Sequence, residues 1–480
     1  MVDKTPVEMV NRGEVHWHNQ EIEGNPEQRS AVERILNKSS GSWPFVVFGP
    51  PGTGKTTTLC EAVYQLVSRN IKVAVCAPSN NAAHVFARKL RPYVDSGVLL
   101  RLCGTNLEIP EDMREYSARR GDHNMAQLES FTVLVTTIMT LGGLVQAGIE
   151  KGHFGYIVID EAGQATELET LVCLAGIAGP ETHIILGGDP QQLGPRLLSE
   201  TASNNGYGMS LLERLMKSPG YMKADKQYEP RTVIELVKNF RSHWTILQHV
   251  SEKFYAGKLQ FVAPEAVVNR CLNQPHFQPG MASHFLGVLG QMEKFEAAGS
   301  GVSFKNEAEA EVVKDLVTTC LDQGFVADDI GVITPYRGQV ITLGKLLPAG
   351  VESGTVESFQ GREKTIVIIS SVRSTPSCCL PDGRRRVGFL ANKKRFVVMM
   401  TRARALQIVV GNPHELATCP VWRQYLAWLT ERNCYRGSSY SMGFNLESAK
   451  GLLGEDAVRQ LETDDWKVAV EEKEEKTDDL

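Results

Sequence analysis

From Trp43 to Ile185 the chain repeats one pattern: an apolar run, a polar turn, then a stretch with helical period. The runs "WPFVVFG", "IKVAVCAPS", "FTVLVTT", "FGYIVID" and "HIILGGD" are continuous rather than alternating. Strands covered on both faces of a parallel sheet read this way. Helical stretches such as "KTTTLCEAVYQLVS" and "NAAHVFARKL" lie between them, giving the βαβ alternation of a doubly wound sheet. A second series follows with the same grammar: "SHFLGVLG", a helix in "NEAEAEVVKDLVTTCLDQG", then "DIGVITPY", "KTIVIISSVR" and "ALQIVVGNP". The expected fold class is therefore α/β, with two parallel-sheet domains in tandem at residues 25–225 and 226–435, joined near Met222 to Arg231. Residues 1–24 read as an N-terminal extension, and the less regular stretch 92–129 as a small insertion on the first domain.

One run needs arbitration. "RFVVMMTRA" is rich in β-formers, yet Phe396, Met399, Met400 and Ala403 fall at i, i+3, i+4 and i+7. That spacing predicts an amphipathic helix with Arg402 at its C-terminal turn, just before the strand "LQIVVG".

Candidate chemistry concentrates at the ends of the apolar runs. "GPPGTGKT" (Gly49, Pro50, Pro51, Gly52, Thr53, Gly54, Lys55, Thr56) follows the run "PFVVF" and opens a helical stretch, with Thr57 next. That strand, loop and helix context is what a P-loop requires: glycines let backbone N–H groups wrap phosphate, Lys55 reaches the β/γ phosphates, and Thr56 offers a hydroxyl to Mg²⁺. "YIVIDEAGQATE" ends a strand in Asp160 and Glu161. Asp160 suits a Mg²⁺ ligand and Glu161 the base that orients an attacking water. Transfer of a phosphoryl group gains most from a cation supplied from elsewhere, and Arg241 in "NFRSH" and Arg402 in "TRAR" are the candidates.

Composition narrows the classes. The chain has 480 residues, a 42% apolar fraction and a net charge of −5. That charge argues against indiscriminate polyanion binding while leaving room for a local groove, since much of the acidity sits in the 436–480 tail, which reads as solvated and disordered. No run approaches 18 apolar residues, so no membrane span is expected. Ten cysteines without CxxC spacing read as reduced, buried thiols of a cytoplasmic protein. Cys378 and Cys379 are adjacent but lack a second ligand pair, so no zinc is expected. His16 to His18 read as a surface strand edge, and Arg384 to Arg386 as a basic loop.

Taken in order, "NPEQRSAV", "GPPGTGKT", "APSNNAAHVF", "VLVTT", "DEAGQATE", "GGDPQQLGP", "NFRSH", "VITPYRGQV", "TVESFQGREKTIVIISSVRS" and "RFVVMMTRARALQIVVGNP" resemble the motifs of superfamily 1B helicases. Within that superfamily they resemble the nonsense-mediated-decay RNA helicases and their Armitage branch, linked to small-RNA pathways. The resemblance runs from about Asn25 to Tyr435. It implies two RecA-like domains, ATP with Mg²⁺ as cofactors, and single-stranded RNA as ligand, with Argonaute or Piwi proteins as partners and ribonucleoprotein granules as a location. It gives Gln28 the adenine edge, Phe240 a stacking role where the family has tyrosine, and Gln192 the γ-phosphate. Glu363 takes the ribose or phosphate region, and Arg241 and Arg402 are paired fingers. It gives Ser79, Asn80, Thr137, Thr334 and Ser358 to the RNA backbone, and Arg404 to RNA or a neighbouring carboxylate.

The expected function is an ATP-dependent RNA helicase or translocase, 5′ to 3′ if family polarity holds. An ATP-gated RNA clamp for Argonaute or Piwi complexes and a DNA helicase of the same superfamily are the alternatives. The sequence departs from the family in having only about 24 residues before the glutamine motif, and in Val397 where relatives carry asparagine. The second departure implies slower hydrolysis.

Overall fold

The computed structural model describes residues 15–197, 199–273, 277–296, 302–374 and 388–438. Cys378, Cys379, Arg384 to Arg386 and nearly all of the 436–480 tail lie outside the described residues. The chain divides into two compact units, the first through Leu197 and over Asn205–Lys238, the second taking Leu198–Asn204 and the chain from Asn239 on.

The first unit is built on eight parallel strands: β1 (Phe45–Phe48), β2 (Val73–Ala77), β3 (Leu99–Cys103), β4 (Ser117–Arg119), β5 (Val133–Thr137), β6 (Tyr156–Ile159), β7 (His183–Gly188) and β8 (Val233–Glu235). Their order across the sheet is β4-β3-β5-β2-β6-β7-β1-β8. Strands β1, β2 and β6 are buried along their whole length, as their continuous apolar runs require, and so is β3 despite its arginine. The helices Pro26–Leu36, Lys55–Val67 and Asn80–Leu90 bury Ala31, Val32, Leu59, Val63, Phe86 and Leu90 in the same core as Val47, Val75 and Val158.

Two expectations change here. The 92–129 stretch is not an appendage, because it supplies the edge strands β3 and β4 of the main sheet along with a short 3-10 turn. Its apolar run "VLLRLC" is short and interrupted by an arginine, which hides a strand. The unit boundary falls beyond the Met222 to Arg231 stretch, since β8 pairs with β1 and holds the chain on the first sheet through Glu235.

The N-terminal residues also belong to this unit. Ile22 is buried, and the backbone N–H groups of His18 and Asn19 donate to the Glu61 carboxylate at 3.1 Å each. His16 to His18 form no strand; the His18 ring instead lies 4.6 Å from Tyr64 and 4.0 Å from Tyr93.

The second unit carries six parallel strands: β9 (Ser283–Gly287), β10 (Ile330–Thr334), β11 (Glu352–Thr355), β12 (Lys364–Ser370), β13 (Ala403–Gly411) and β14 (Tyr435–Gly437). They run in the order β11-β10-β12-β13-β9-β14. The helix Glu307–Asp322 buries Ala310, Val313 and Val317 against Ile330, Val332, Ile366 and Ile368. The stretch Lys393–Met399 is a helix, as its spacing predicts, and Arg402 sits in the turn between it and β13.

The fold is thus mixed α/β with two tandem RecA-like sheets. Among the described residues the eight cysteines are buried and unbridged, and no helix is long and apolar enough to cross a membrane.

Candidate nucleotide and nucleic-acid sites

Parallel strands place their following loops at one edge, so the first sheet's C-terminal edge collects most of the candidate residues. After β1 the chain enters the P-loop. Gly54 has φ +78°, and a Cβ there would come within 2.4 Å of Gln28 Nε2; a Cβ on Gly49 would meet the Lys55 side chain at 2.5 Å. Both glycines are required by close approach. Gln28 is buried on the helix capped by Asn25, and its Nε2 donates to the Thr53 carbonyl at 3.2 Å. The adenine-reading candidate is therefore locked to the phosphate loop.

Lys55 is buried, and its ammonium donates to Asp160 Oδ1 at 2.5 Å and Glu161 Oε1 at 2.8 Å. Thr56 Oγ1 donates to Asp160 Oδ2 at 2.8 Å. Burial works against the lysine's charge, but Asp160 and Glu161 outweigh it and hold the ammonium above its ordinary range. Glu161 adopts φ +54°, a left-handed conformation that is rare for a residue with a side chain. Such a conformation is retained where the surrounding contacts hold it. Gln164 Nε2 holds the second Glu161 oxygen at 2.9 Å. Gln192, after β7, donates to Asp189 at 2.8 Å, and Thr57 accepts from Lys89 at 2.8 Å.

Hard oxygen donors on Thr56 and Asp160 fit Mg²⁺, a cation that takes one or two protein oxygens and draws its remaining ligands from phosphate and water. No cluster of three or more His, Cys, Asp or Glu side chains that could hold a metal occurs among the described residues.

The remaining first-unit candidates lie farther along the same edge. Ser79, at the end of β2, accepts from Ala82 N at 3.2 Å, and Thr137, at the end of β5, accepts from Thr140 N at 3.3 Å. Each hydroxyl caps a helix; that of Ser79 keeps its O–H to donate, while that of Thr137 also lies 2.9 Å from the Thr140 hydroxyl. Asn80 is exposed, and its Oδ1 accepts from Arg101 at 2.9 Å.

In the second unit the candidates separate. Glu363 precedes β12 and Arg402 precedes β13, two neighbouring strands, so both sit at the N-terminal edge of that sheet. Glu363 accepts from Arg241 on one oxygen and from Arg404 on the other. Burial raises its proton affinity, but the two guanidinium groups outweigh this and bring it to about 2. Arg404 thus takes the carboxylate role among its two expectations. Arg402 stands apart from this triangle: it is fully buried and donates to the Val398 carbonyl at 2.9 Å, to Thr401 Oγ1 at 2.7 Å and to the Arg362 carbonyl at 3.4 Å. Arg241 reaches the same turn through the Thr401 carbonyl at 3.1 Å. Phe240 is exposed, as a stacking surface must be. Val397 and Met399 are fully buried.

Thr334 ends β10 and Ser358 follows β11, both at the opposite, C-terminal edge. Ser358 is exposed and donates to the Thr355 carbonyl at 2.8 Å. Thr334 is fully buried with no partner for its hydroxyl. Being the last paired residue of β10, it lies under the surface that the resemblance assigns to RNA.

The first unit's P-loop lysine, engaged with a strand-end Asp-Glu pair on a parallel RecA-like sheet, has the arrangement of a P-loop nucleotide-binding core. Comparison with known proteins agrees. Two family models, each described as an AAA domain, match residues 23–196 and 207–414. The chain is 37% identical over 461 residues to "Putative helicase mov-10-B.1" of Danio rerio, covering 89% of this chain and 45% of that protein. It is 37% identical over 433 residues to "RNA helicase Mov10l1" of Homo sapiens (86% and 35%), and 32% identical over 505 residues to "Probable RNA helicase armi" of Drosophila melanogaster (94% and 42%). The chain is thus a homologue of the MOV-10, Mov10l1 and armi helicases over its length. It spans less than half the length of these curated relatives.

Proposed function

We propose that this chain is the motor core of an ATP-dependent RNA helicase that remodels RNA or RNA–protein complexes, moving 5′ to 3′ on single-stranded RNA in small-RNA-mediated silencing. The observation that carries the reading is the convergence of Lys55, Thr56, Asp160 and Glu161, four residues that ATP hydrolysis needs in one place.

In this reading Lys55 turns from its carboxylates to the β and γ phosphates of ATP. Thr56 and Asp160 would hold a magnesium ion, which would supply positive charge against the phosphate oxygens. Glu161 orients the water, Gln192 senses the γ-phosphate, and Gln28 and Phe240 read and stack the base. Arg241 and Arg402 offset the charge that develops in transfer, Glu363 holding Arg241 until it is needed. Ser79, Asn80, Thr137 and Ser358 hold the sugar-phosphate chain with donors that ignore base identity, as a motor requires. Argonaute- or Piwi-type partners and a cytoplasmic or granule location belong to the same proposal and rest on the family resemblance alone.

Strand displacement from a 5′-tailed RNA duplex tests it. ATP-dependent release by the wild type and none by Lys55→Ala is expected. Tight RNA and ATP binding without release would instead favour an ATP-gated clamp, and preference for a matched DNA duplex at fixed salt would favour a DNA motor.

A further inference from the structure

Arg101 lies in the middle of β3 and is completely buried. Among the described residues no carboxylate pairs with it. Its Nη1 donates to the neighbouring Leu102 carbonyl, its Nη2 donates to Asn80 Oδ1 at 2.9 Å, and its Nε has no partner at all. Burial presses its proton affinity below the ordinary arginine range, yet a guanidinium stays charged in any folded protein. The nearby imidazole of His84 is held neutral, at about 4, by burial and then by Arg101 itself. A buried cation without a counter-charge is costly and is retained where it serves something.

The hydrogen bond to Asn80 shows what it serves. A guanidinium has five donors and no acceptor, so the side-chain oxygen of Asn80 must face it. The amide nitrogen is thereby turned the other way, on an exposed residue at the C-terminal edge of the sheet. Next to it, Ser79 accepts from Ala82 N and keeps its O–H as a donor. The edge therefore presents donors backed by a buried positive charge. That combination suits a ligand oxygen that only accepts and carries negative charge, which describes the phosphodiester group of a nucleic-acid backbone.

We propose that Arg101 is a positioning residue for RNA: by fixing the orientation of the Asn80 amide, it commits Asn80 to donate to a backbone phosphate oxygen. This deepens the RNA reading of the site and rests on it. Arg101 itself does not touch RNA.

The test is fluorescence anisotropy of a labelled single-stranded oligouridine, with affinity read across a potassium chloride series and folding checked by thermal melting. Arg101→Gln, whose amide can present either a donor or an acceptor to Asn80, is expected to weaken binding by about fivefold. Arg101→Lys, still a pure donor, is expected to stay within about twofold of wild type. In an Asn80→Ala background the Arg101→Gln change is expected to have no further effect, because its only route to RNA has been removed. Asn80→Asp keeps the shape and gives Arg101 a carboxylate while removing the outward donor, and about a tenfold loss is expected.

Equal loss from Arg101→Gln in the two backgrounds, or unaltered binding, overturns the inference. Should Arg101→Gln not fold, the exposed Asn80→Asp variant decides, and affinity within twofold of wild type overturns it. A wild type that binds no RNA overturns the RNA reading itself, and the inference with it.

Discussion

Glu309 is completely buried on the helix Glu307–Asp322, and no cation faces it among the described residues. Its Oε2 accepts from Ser370 Oγ and from Val372 N, both at 2.8 Å; its Oε1 has longer contacts to Asn306 Nδ2 at 3.3 Å and Ser371 Oγ at 3.4 Å. These bonds favour the charged form but do not match the cost of burial, which raises its proton affinity from 4.5 to about 7. The folded state therefore binds a proton more tightly than the unfolded chain. Its contribution to stability is full below about pH 4.5 and is lost as pH rises through about 7, a difference of about 3 kcal/mol.

Glu309→Gln removes that dependence. It keeps one oxygen for Ser370 and Val372 but turns a donor toward Asn306 Nδ2, a lost bond of about 1 kcal/mol. The balance is a gain of about 2 kcal/mol at pH 8, close to zero at pH 5, and a loss of about 1 kcal/mol only well below about pH 4. Hydrogen exchange of the β12 amides, corrected for intrinsic rates at each pH, reads this without assuming that two units unfold together. Loss of protection by the same amount at pH 5 and pH 8 would refute the reasoning, because it would mean that the carboxylate is ionised and satisfied throughout.

Glu363 has the opposite sign: its folded value of about 2 lies below the ordinary 4.5, so its contribution is present above about pH 4.5 and is lost as pH falls toward 2. Glu363→Gln should lower stability by about 1–3 kcal/mol at pH 7 and flatten the acid limb of a thermal-melting series. Gly54→Ala forces a side chain into φ +78° against Gln28 and should weaken nucleotide binding, measured by calorimetry, with about 1–3 kcal/mol lost from the first unit. Arg402→Lys cannot reproduce three bonds from one planar group; turnover should fall by about 10³-fold or more while ATP affinity changes little. Val397→Asn should raise turnover if the family asparagine seats Arg402, and unchanged turnover with a lower melting temperature would show that the buried position only needs an apolar side chain.

Continuous apolar runs made the central strands legible, and the Phe396, Met399, Met400 spacing identified a helix that valine content concealed. Strand β3 is hidden because one arginine interrupts "VLLRLC". The nucleotide site was legible because its residues lie in short motifs at strand ends. Pairings across the chain were not: Arg241 and Glu363 are 122 positions apart, and only the adjacency of β12 and β13 brings Arg404 to the same carboxylate. Likewise, nothing local distinguishes Thr334, which is buried, from Ser358, which is exposed.

The central claim is that Lys55 and Glu161 perform ATP hydrolysis under the control of RNA. The direct measurement is the steady-state ATPase rate of the full chain with and without single-stranded RNA, for wild type, Lys55→Ala and Glu161→Gln. The account predicts RNA-stimulated turnover in the wild type, lost in both variants, with nucleotide binding weakened by Lys55→Ala and kept by Glu161→Gln. Equal rates in all three proteins would contradict it.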